Sequence, residues 1–239
     1  MVESENKGRG GLPRHIGFIV DGNRRWARER GLPTLDGHRT GFDKVEKIAV
    51  ECVKKGVKYV SFYLFSTENW GRSEEEVSYL MKLVETNIAR MIKRLKKEDI
   101  KCVILGRKEP TPEKVWRALK KAEEETCDGK AGTVCICFNY GGKWEIADAV
   151  SEIIEKMGSG APRTEVTPEI VAEHLYRPEV PELDLVVRTS GEERISGFML
   201  WRAAYAELLF LKKYFPDMEV DDVKEILEEF SRRQRRFGK

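Results

Sequence analysis

From Leu12 onward, six short runs rich in β-branched and aromatic residues alternate with longer stretches of helical periodicity. The runs fall at 15–20 (HIGFIV), 57–64 (VKYVSFYL), 100–105 (IKCVIL), 133–138 (TVCICF), 183–188 (LDLVVR) and 207–211 (ELLFL). Such alternation marks βαβ units, and near-continuous apolar strands suit a sheet buried on both faces. The expected fold is α/β: a single domain with a six-stranded, mainly parallel sheet flanked by helices. Helices are predicted at 38–55, 73–97, 112–127, 142–157, 168–175 and 221–235. Ser73 with Glu76 forms a capping-box pattern. Thr111-Pro112 and Thr167-Pro168 each place a capping residue before a proline at the first helical position. Residues 1–11 read as a disordered N-terminal segment and 12–239 as one domain; the loop-like stretch Gly158 to Arg163 is too short to separate domains.

Composition narrows the function. With 239 residues and 41% hydrophobic content the chain can bury a substantial core, which excludes a linker or tail. Lysine plus arginine (43) nearly balance aspartate plus glutamate (41), so an anion site must be local and nucleic-acid binding has no support in the overall field. The N-terminus lacks a secretory apolar stretch, no window suits a membrane span, and five scattered cysteines suggest reduced thiols in a cytosolic enzyme. Cys135 and Cys137 flank Ile136 in a predicted strand and read as core residues sharing one face. Gln234 is the only glutamine, and the abundance of charge resembles proteins with surface ion-pair networks.

In a parallel sheet, ligands bind beyond the carboxyl ends of the strands. After the first strand comes Asp21-Gly22-Asn23-Arg24-Arg25-Trp26, where glycine, a helix start and two arginines suit a phosphate or diphosphate. Asp21 either caps that helix or holds a Mg²⁺ that reconciles the carboxylate with the phosphates. The second strand is followed by Phe65-Ser66-Thr67-Glu68-Asn69-Trp70-Gly71-Arg72, the fourth by Asn139-Tyr140-Gly141-Gly142-Lys143, and the fifth by Arg188 to Ser196. Each arginine alone could be a surface ion pair; together, four such loops at one edge indicate a site for two anions. His38, at a predicted helix start, lies within reach of the first loop, whereas His174 reads as structural. The apolar stripe Val77, Leu80, Met81, Val84, Ile88, Met91, Ile92 and Leu95 is either plain core or, in part, the wall of an apolar tunnel. The chain has no P-loop, dinucleotide fingerprint, zinc helix or nucleophile elbow.

HIGFIVDGNRRWA, GH at 37–38, FSTENWGR, FNYGGKWE, LDLVVRTSGEERISGFMLW and YAELLF, in this order over residues 15–211, resemble the cis-prenyltransferases, also called undecaprenyl or polyprenyl diphosphate synthases. Arg236-Phe237-Gly238 is similar to that family's RxG ending. The resemblance implies a homodimeric, Mg²⁺-dependent enzyme that extends an allylic diphosphate primer (farnesyl or geranylgeranyl diphosphate) with isopentenyl diphosphate in cis configuration. The product would be a long-chain polyprenyl diphosphate, precursor of a glycosyl carrier lipid. It further implies a cytoplasmic location with access to a membrane surface for product release. Asp21 then matches the metal-linked aspartate, with Gly22, Asn23, Arg24 and Arg25 cradling the primer diphosphate and Trp26 and His38 beside them. Ser66, Thr67, Glu68, Asn69, Trp70 and Arg72 match a substrate-ordering loop, Asn69 at the position assigned as proton acceptor, although an amide is a poor base. Arg188, Arg194, Ile195 and Ser196 match the isopentenyl diphosphate site, and Glu207 a second metal-linked carboxylate acting across the dimer. Glu76 matches a loop-ordering position as well as the capping box.

There is one departure. Many members of the family carry arginine four residues before the GH histidine, and Thr34 stands there in this chain, leaving Arg28, Arg30 or Arg39 to compensate or the primer to be gripped differently. A non-catalytic, lipid-diphosphate-binding partner subunit of a heteromeric prenyltransferase is the alternative reading, against which stand Asp21, Asn23, Arg25, Asn69, Arg188 and Arg194. The basic tail Arg232-Arg233-Gln234-Arg235-Arg236 reads as a solvated helix end or part of the RxG contact rather than a nucleic-acid site.

Overall fold

The computed structural model describes residues 11–158 and 165–233. The expected disorder of 1–11 (all but Gly11), the loop at 158–163 (all but Gly158), and the RxG ending fall outside them. Six strands, β1 (His15–Ile19), β2 (Tyr59–Ser66), β3 (Ile100–Leu105), β4 (Gly132–Tyr140), β5 (Leu185–Arg188) and β6 (Glu207–Phe210), form one sheet in the order β3-β4-β2-β1-β5-β6. Every neighbouring pair is parallel. Strands β1 to β5 are buried on both faces along most of their length, whereas the edge strand β6 is only half-buried, with Leu208 exposed. Phe18, Phe62, Phe65, Ile104, Ile136 and Val187 pack into one core, and Ile19, Tyr63, Leu105, Cys135, Cys137 and Val186 into the other. Cys135 and Cys137 thus share a face as core residues, and burial pushes the Cys135 thiol up to about 12.

The helices are α1 (Asn23–Glu29), α2 (Thr34–Lys54), α3 (Glu74–Lys97), α4 (Glu113–Glu125), α5 (Gly142–Gly158), α6 (Pro168–Glu173) and α7 (Val220–Arg232). The stripe on α3 is largely core: Met81, Val84, Ile88, Met91, Ile92 and Leu95 are buried. Ser73 and Thr167 cap as expected, accepting from the backbone N–H of Glu76 and Ile170. Thr111 does not. Pro112 occupies the N-cap position of α4, and the Thr111 hydroxyl is buried without a partner. Helix α2 begins at Thr34, behind Pro33, rather than at 38, so His38 lies in its second turn. The short α1 escaped the periodicity reading because seven residues carry too little pattern.

Helices α1 and α2 meet without side-chain spacers. A Cβ at Gly37 would lie 2.0 Å from the Asn23 carbonyl oxygen, and one at Gly41 2.2 Å from Asn23 Oδ1. Surface charges are paired in clusters as well; Arg90 joins Asp43 and Glu46, and Glu98 takes Lys54 and Arg94.

From β1 the chain passes to β2 on one side, while β5 returns on the other. The switch point of the sheet therefore lies between β1 and β5, with Ile19 opposite Arg188 at their carboxyl ends. In β2, the register against β4 shifts around Phe65, an irregularity of the kind that re-aims side chains beside functional sites.

Candidate active site

A cleft of about 1370 Å³ opens at that switch point, lined by the loops after β1, β2, β4 and β5 and by α1 and α2. All four loops singled out from the sequence meet here.

Gly22 adopts φ 99 at the start of α1, and a Cβ there would lie 2.5 Å from the Tyr214 ring, so only glycine fits. Asp21 does not cap the helix. Its Oδ1 accepts from the Gly22 N–H at 2.6 Å and its Oδ2 from Arg188 Nη2 at 2.8 Å, while Thr189 ties its backbone to β5. Partial burial pushes the Asp21 carboxyl up, but the hydrogen bond and charge of Arg188, the Gly22 N–H and Arg25 outweigh it and hold it below the usual carboxylate range. Asp21 is therefore an anion at neutral pH.

Arg188, 4% exposed, also donates to Ser196 Oγ (2.8 Å) and to the Arg194 carbonyl, and its Nε is buried without a partner. Arg25 reaches Ser190 Oγ (2.5 Å) and Glu192 (2.8 Å), and Glu192 also pairs with Arg194. In the β2 loop, a 3-10 turn at Thr67–Gly71 is closed by Ser66 and Asn69, the Asn69 Oδ1 accepting from the Ser66 N–H at 3.0 Å. Behind it, Glu76 departs from a full capping box. Its carboxylate turns to His38 Nε2 (3.0 Å) and Arg72 (2.9 Å), with Arg24 at 3.9 Å. Burial lowers the His38 pKa despite Glu76, so its imidazole is neutral near pH 7.

Asp21, Gly22, Asn23, Arg24, Arg25, His38, Ser66, Glu68, Asn69, Arg72, Arg188, Arg194 and Ser196 all line the cleft. Five other expected site residues lie elsewhere in this chain. Trp26 donates to Asp217 (2.6 Å) beneath Arg30; Trp70 donates to Asn139 (2.8 Å) and packs on Phe65; and the Thr67 hydroxyl is buried beside Gly141. Ile195 packs against the second core. Glu207 opens β6 opposite Leu185, at the other end of the strands from Asp21, and pairs with Arg233 at 3.2 Å. Within one chain it cannot share a metal with Asp21, because a parallel neighbour presents its first residue at the sheet's opposite edge.

Sequence reasoning gave no site role to Glu192 and Lys143, and named Arg28 only as one possible compensation for Thr34; all three line the cleft. The first two sat in loops already singled out; for Arg28 the signal was its place one helical turn after Arg24, near Thr34.

The apolar tunnel expected from the sequence is not shown among the described residues. Between α2, α3 and the sheet lies a pit of about 40 Å³ lined by Phe42, Val45, Leu80, Leu83, Val84 and Phe138, room for about three waters. It adjoins the cleft through Val20, Asn23, His38, Leu64 and Leu80.

Among the described residues no group of three or more His, Cys, Asp or Glu side chains could hold a metal. Asp21 alone offers a cleft-lining carboxylate on the β1 loop. That fits a Mg²⁺ bound through one carboxylate plus substrate phosphates, and no self-sufficient metal cage.

An arginine-lined crevice at the switch point of a parallel sheet, joined to an apolar pit, defines an α/β protein built for an anion with an apolar tail. The family described as putative undecaprenyl diphosphate synthase matches residues 19–238, and the chain belongs to this family of prenyltransferases. It is 44% identical over 227 residues to an isoprenyl transferase of Thermotoga maritima, covering 95% of this chain and 97% of that one. It is 39% identical to the ditrans,polycis-undecaprenyl-diphosphate synthase ((2E,6E)-farnesyl-diphosphate specific) of Vibrio parahaemolyticus, covering 95% and 91%. Among solved structures, lavandulyl diphosphate synthase from Lavandula x intermedia in complex with dimethylallyl diphosphate superimposes with a TM-score of 0.92 at 31% identity, covering 95% and 99%.

Proposed function

We propose that this prenyltransferase extends farnesyl or geranylgeranyl diphosphate with isopentenyl diphosphate units in cis configuration. Its product is a long-chain polyprenyl diphosphate, precursor of a glycosyl carrier lipid. The observation that carries the reading is the contact of two anion-binding halves at Asp21 and Arg188, in a cleft that adjoins an apolar pit.

On the primer side, Gly22, Asn23, Arg24 and Arg25 cradle the diphosphate, with His38 beside them. On the other side, Arg188, Arg194 and Ser196 hold isopentenyl diphosphate. Trp26, Thr67, Trp70 and Ile195 back these groups from behind. Departure of diphosphate builds negative charge on its oxygens and positive charge on the allylic carbon, so fixed arginines lower the barrier while the cleft orients the attacking double bond. Asp21 would hold Mg²⁺, which supplies neutralisation of the leaving diphosphate. Loss of a proton from the new adduct restores neutrality. The Asn69 carbonyl oxygen is engaged with Ser66, and an amide is not basic near pH 7, so Asn69 orients the loop while released diphosphate or water takes the proton.

The same reading includes a homodimer in the cytoplasm that releases product at a membrane surface. Edge strand β6 supports the dimer: Leu208 is 40% exposed on an unpaired sheet edge, and Glu207 beside it finds a metal-linked role only across such an interface. No helix among the described residues is long and apolar enough to cross a membrane.

The test uses purified protein, Mg²⁺, labelled isopentenyl diphosphate and each primer in turn, with products sized by chromatography. Products growing by isoprene units and lost on chelation are expected. No incorporation, or equal product from Asp21→Ala, overturns the reading.

A further inference from the structure

Around the cleft, most guanidinium groups are already engaged. Arg25 is held by Ser190 and Glu192, Arg72 by Glu76, Arg188 by Asp21 and Ser196, and Arg194 by Glu192. Just outside, Arg30 lies over Trp26 and binds Asp217, while Arg39 pairs with Asp36 at 3.0 Å. Arg28 differs from all of these. It is exposed and lines the cleft, and its side chain has no hydrogen bond or ion pair among the described residues.

Nothing local favours that placement. Arg24 and Arg28 stand one turn apart on the same face of α1, and like charges at this spacing destabilise a helix. Arg24 reaches Glu76 only at 3.9 Å, so the pair is not neutralised from within. The position of Arg28 in the last turn of α1 suits the helix dipole, but that benefit does not require the side chain to border a cleft. Beyond it, Gly31, Leu32 and Thr34 complete the same rim, and Thr34 contributes a hydroxyl without charge.

We propose that Arg28 is a specificity-determining residue for the allylic primer. Its guanidinium takes the outer phosphate of the primer diphosphate, supplying at the α1–α2 rim the charge that Thr34 lacks. The inference rests on the prenyltransferase reading above. It assigns Arg28 to the primer because Arg28 continues the row of Asn23 and Arg24 along α1, whereas Arg188 and Arg194 belong to the loop after β5 on the other side of Asp21. Of the three arginines that could compensate for Thr34, Arg30 and Arg39 are committed elsewhere.

The test measures farnesyl diphosphate binding by calorimetry with Mg²⁺ and without isopentenyl diphosphate, and separately the KM of each substrate. A charge-assisted contact of this kind predicts that Arg28→Ala weakens farnesyl diphosphate binding about tenfold and leaves the isopentenyl diphosphate KM within about twofold. Arg28→Lys retains part of the affinity, as a point charge in place of a planar fork. Thr34→Arg alone lowers the primer KM, and in the Arg28→Ala background it restores binding. Primer binding by Arg28→Ala equal to wild type, or an equal loss for both substrates, overturns the proposal alone. Wild-type protein that binds neither farnesyl nor geranylgeranyl diphosphate in the same calorimetry overturns the functional reading and this proposal with it.

Discussion

Arg188 Nη2 and Asp21 Oδ2 meet at 2.8 Å across the carboxyl ends of β5 and β1, joining the two loops that frame the sheet's switch point. The pair is asymmetric. Arg188 is buried and has one N–H already unmatched, whereas Asp21 is open to the cleft.

Asp21→Ala should therefore act twice. Removing the carboxylate leaves a buried guanidinium without its anion, at a cost of about 1–3 kcal/mol for a pair open on one side, readable by urea unfolding. Turnover should fall by about two orders of magnitude or more. Asp21→Asn keeps the shape and should recover stability but not rate; wild-type rate in that variant would remove the charge from its assigned role.

Gly22→Ala tests the backbone of the cradle. With φ 99 and a new methyl 2.5 Å from Tyr214 and 2.9 Å from Ser190 Cβ, the loop must shift, costing about 1–3 kcal/mol and weakening primer binding. A thermal melt and primer affinity both matching wild type would show that the loop is not confined as described.

His15 makes stability depend on pH. Complete burial lowers its pKa to about 4, opposed in part by a hydrogen bond with the Pro181 carbonyl, and the ring also bonds Ser61 Oγ at 2.7 Å. The unfolded chain takes up the proton near 6.5, so the contribution is complete above that pH and is lost as pH falls toward 4. Between pH 7 and pH 5 the loss should be about 2 kcal/mol. Denaturant titrations of wild type and His15→Gln at both pH values should show this slope only in wild type.

The pit predicts control of product length. Val84→Trp places an indole among Phe42, Val45 and Phe138, where only about 40 Å³ is open. Products should become shorter while the KM for isopentenyl diphosphate stays unchanged. An unaltered product distribution would show that the growing chain takes another route.

Leu208→Asp probes the β6 edge. A charge at this exposed apolar position should shift sedimentation from dimer to monomer, with activity lost in parallel if Glu207 acts across the interface. A monomeric wild type, or a monomeric variant with full activity, would separate assembly from catalysis.

The sheet was readable from the chain because six apolar runs alternate with helical stretches, five of them apolar enough to be buried on both faces, and their carboxyl ends announced the cleft; the half-exposure of β6 was not legible, since it depends on that strand lying at the sheet edge. The start of helix α1 was legible after Asp21-Gly22 but its extent was not, since it is bounded by the left-handed Gly22 and the turn at Gly31 rather than by periodicity. Pairing was hidden for a different reason. Glu76 obeys a capping pattern in sequence, yet its carboxylate is drawn to His38 and Arg72, groups brought near only by tertiary packing. Trp26 and Trp70 stand beside cleft residues in sequence but point their N–H groups at Asp217 and Asn139, which no local motif encodes.

Gly37 and Gly41 set the backbone of α2 against Asn23 so closely that α1 has no slack to slide or tilt on it. The cradle and α2 must consequently travel as one solid piece, like two boards glued flat. If the cleft adjusts to an apolar tail as proposed, the bank left to yield is the opposite one, where α3 packs through Met81, Leu83, Met91 and Leu95.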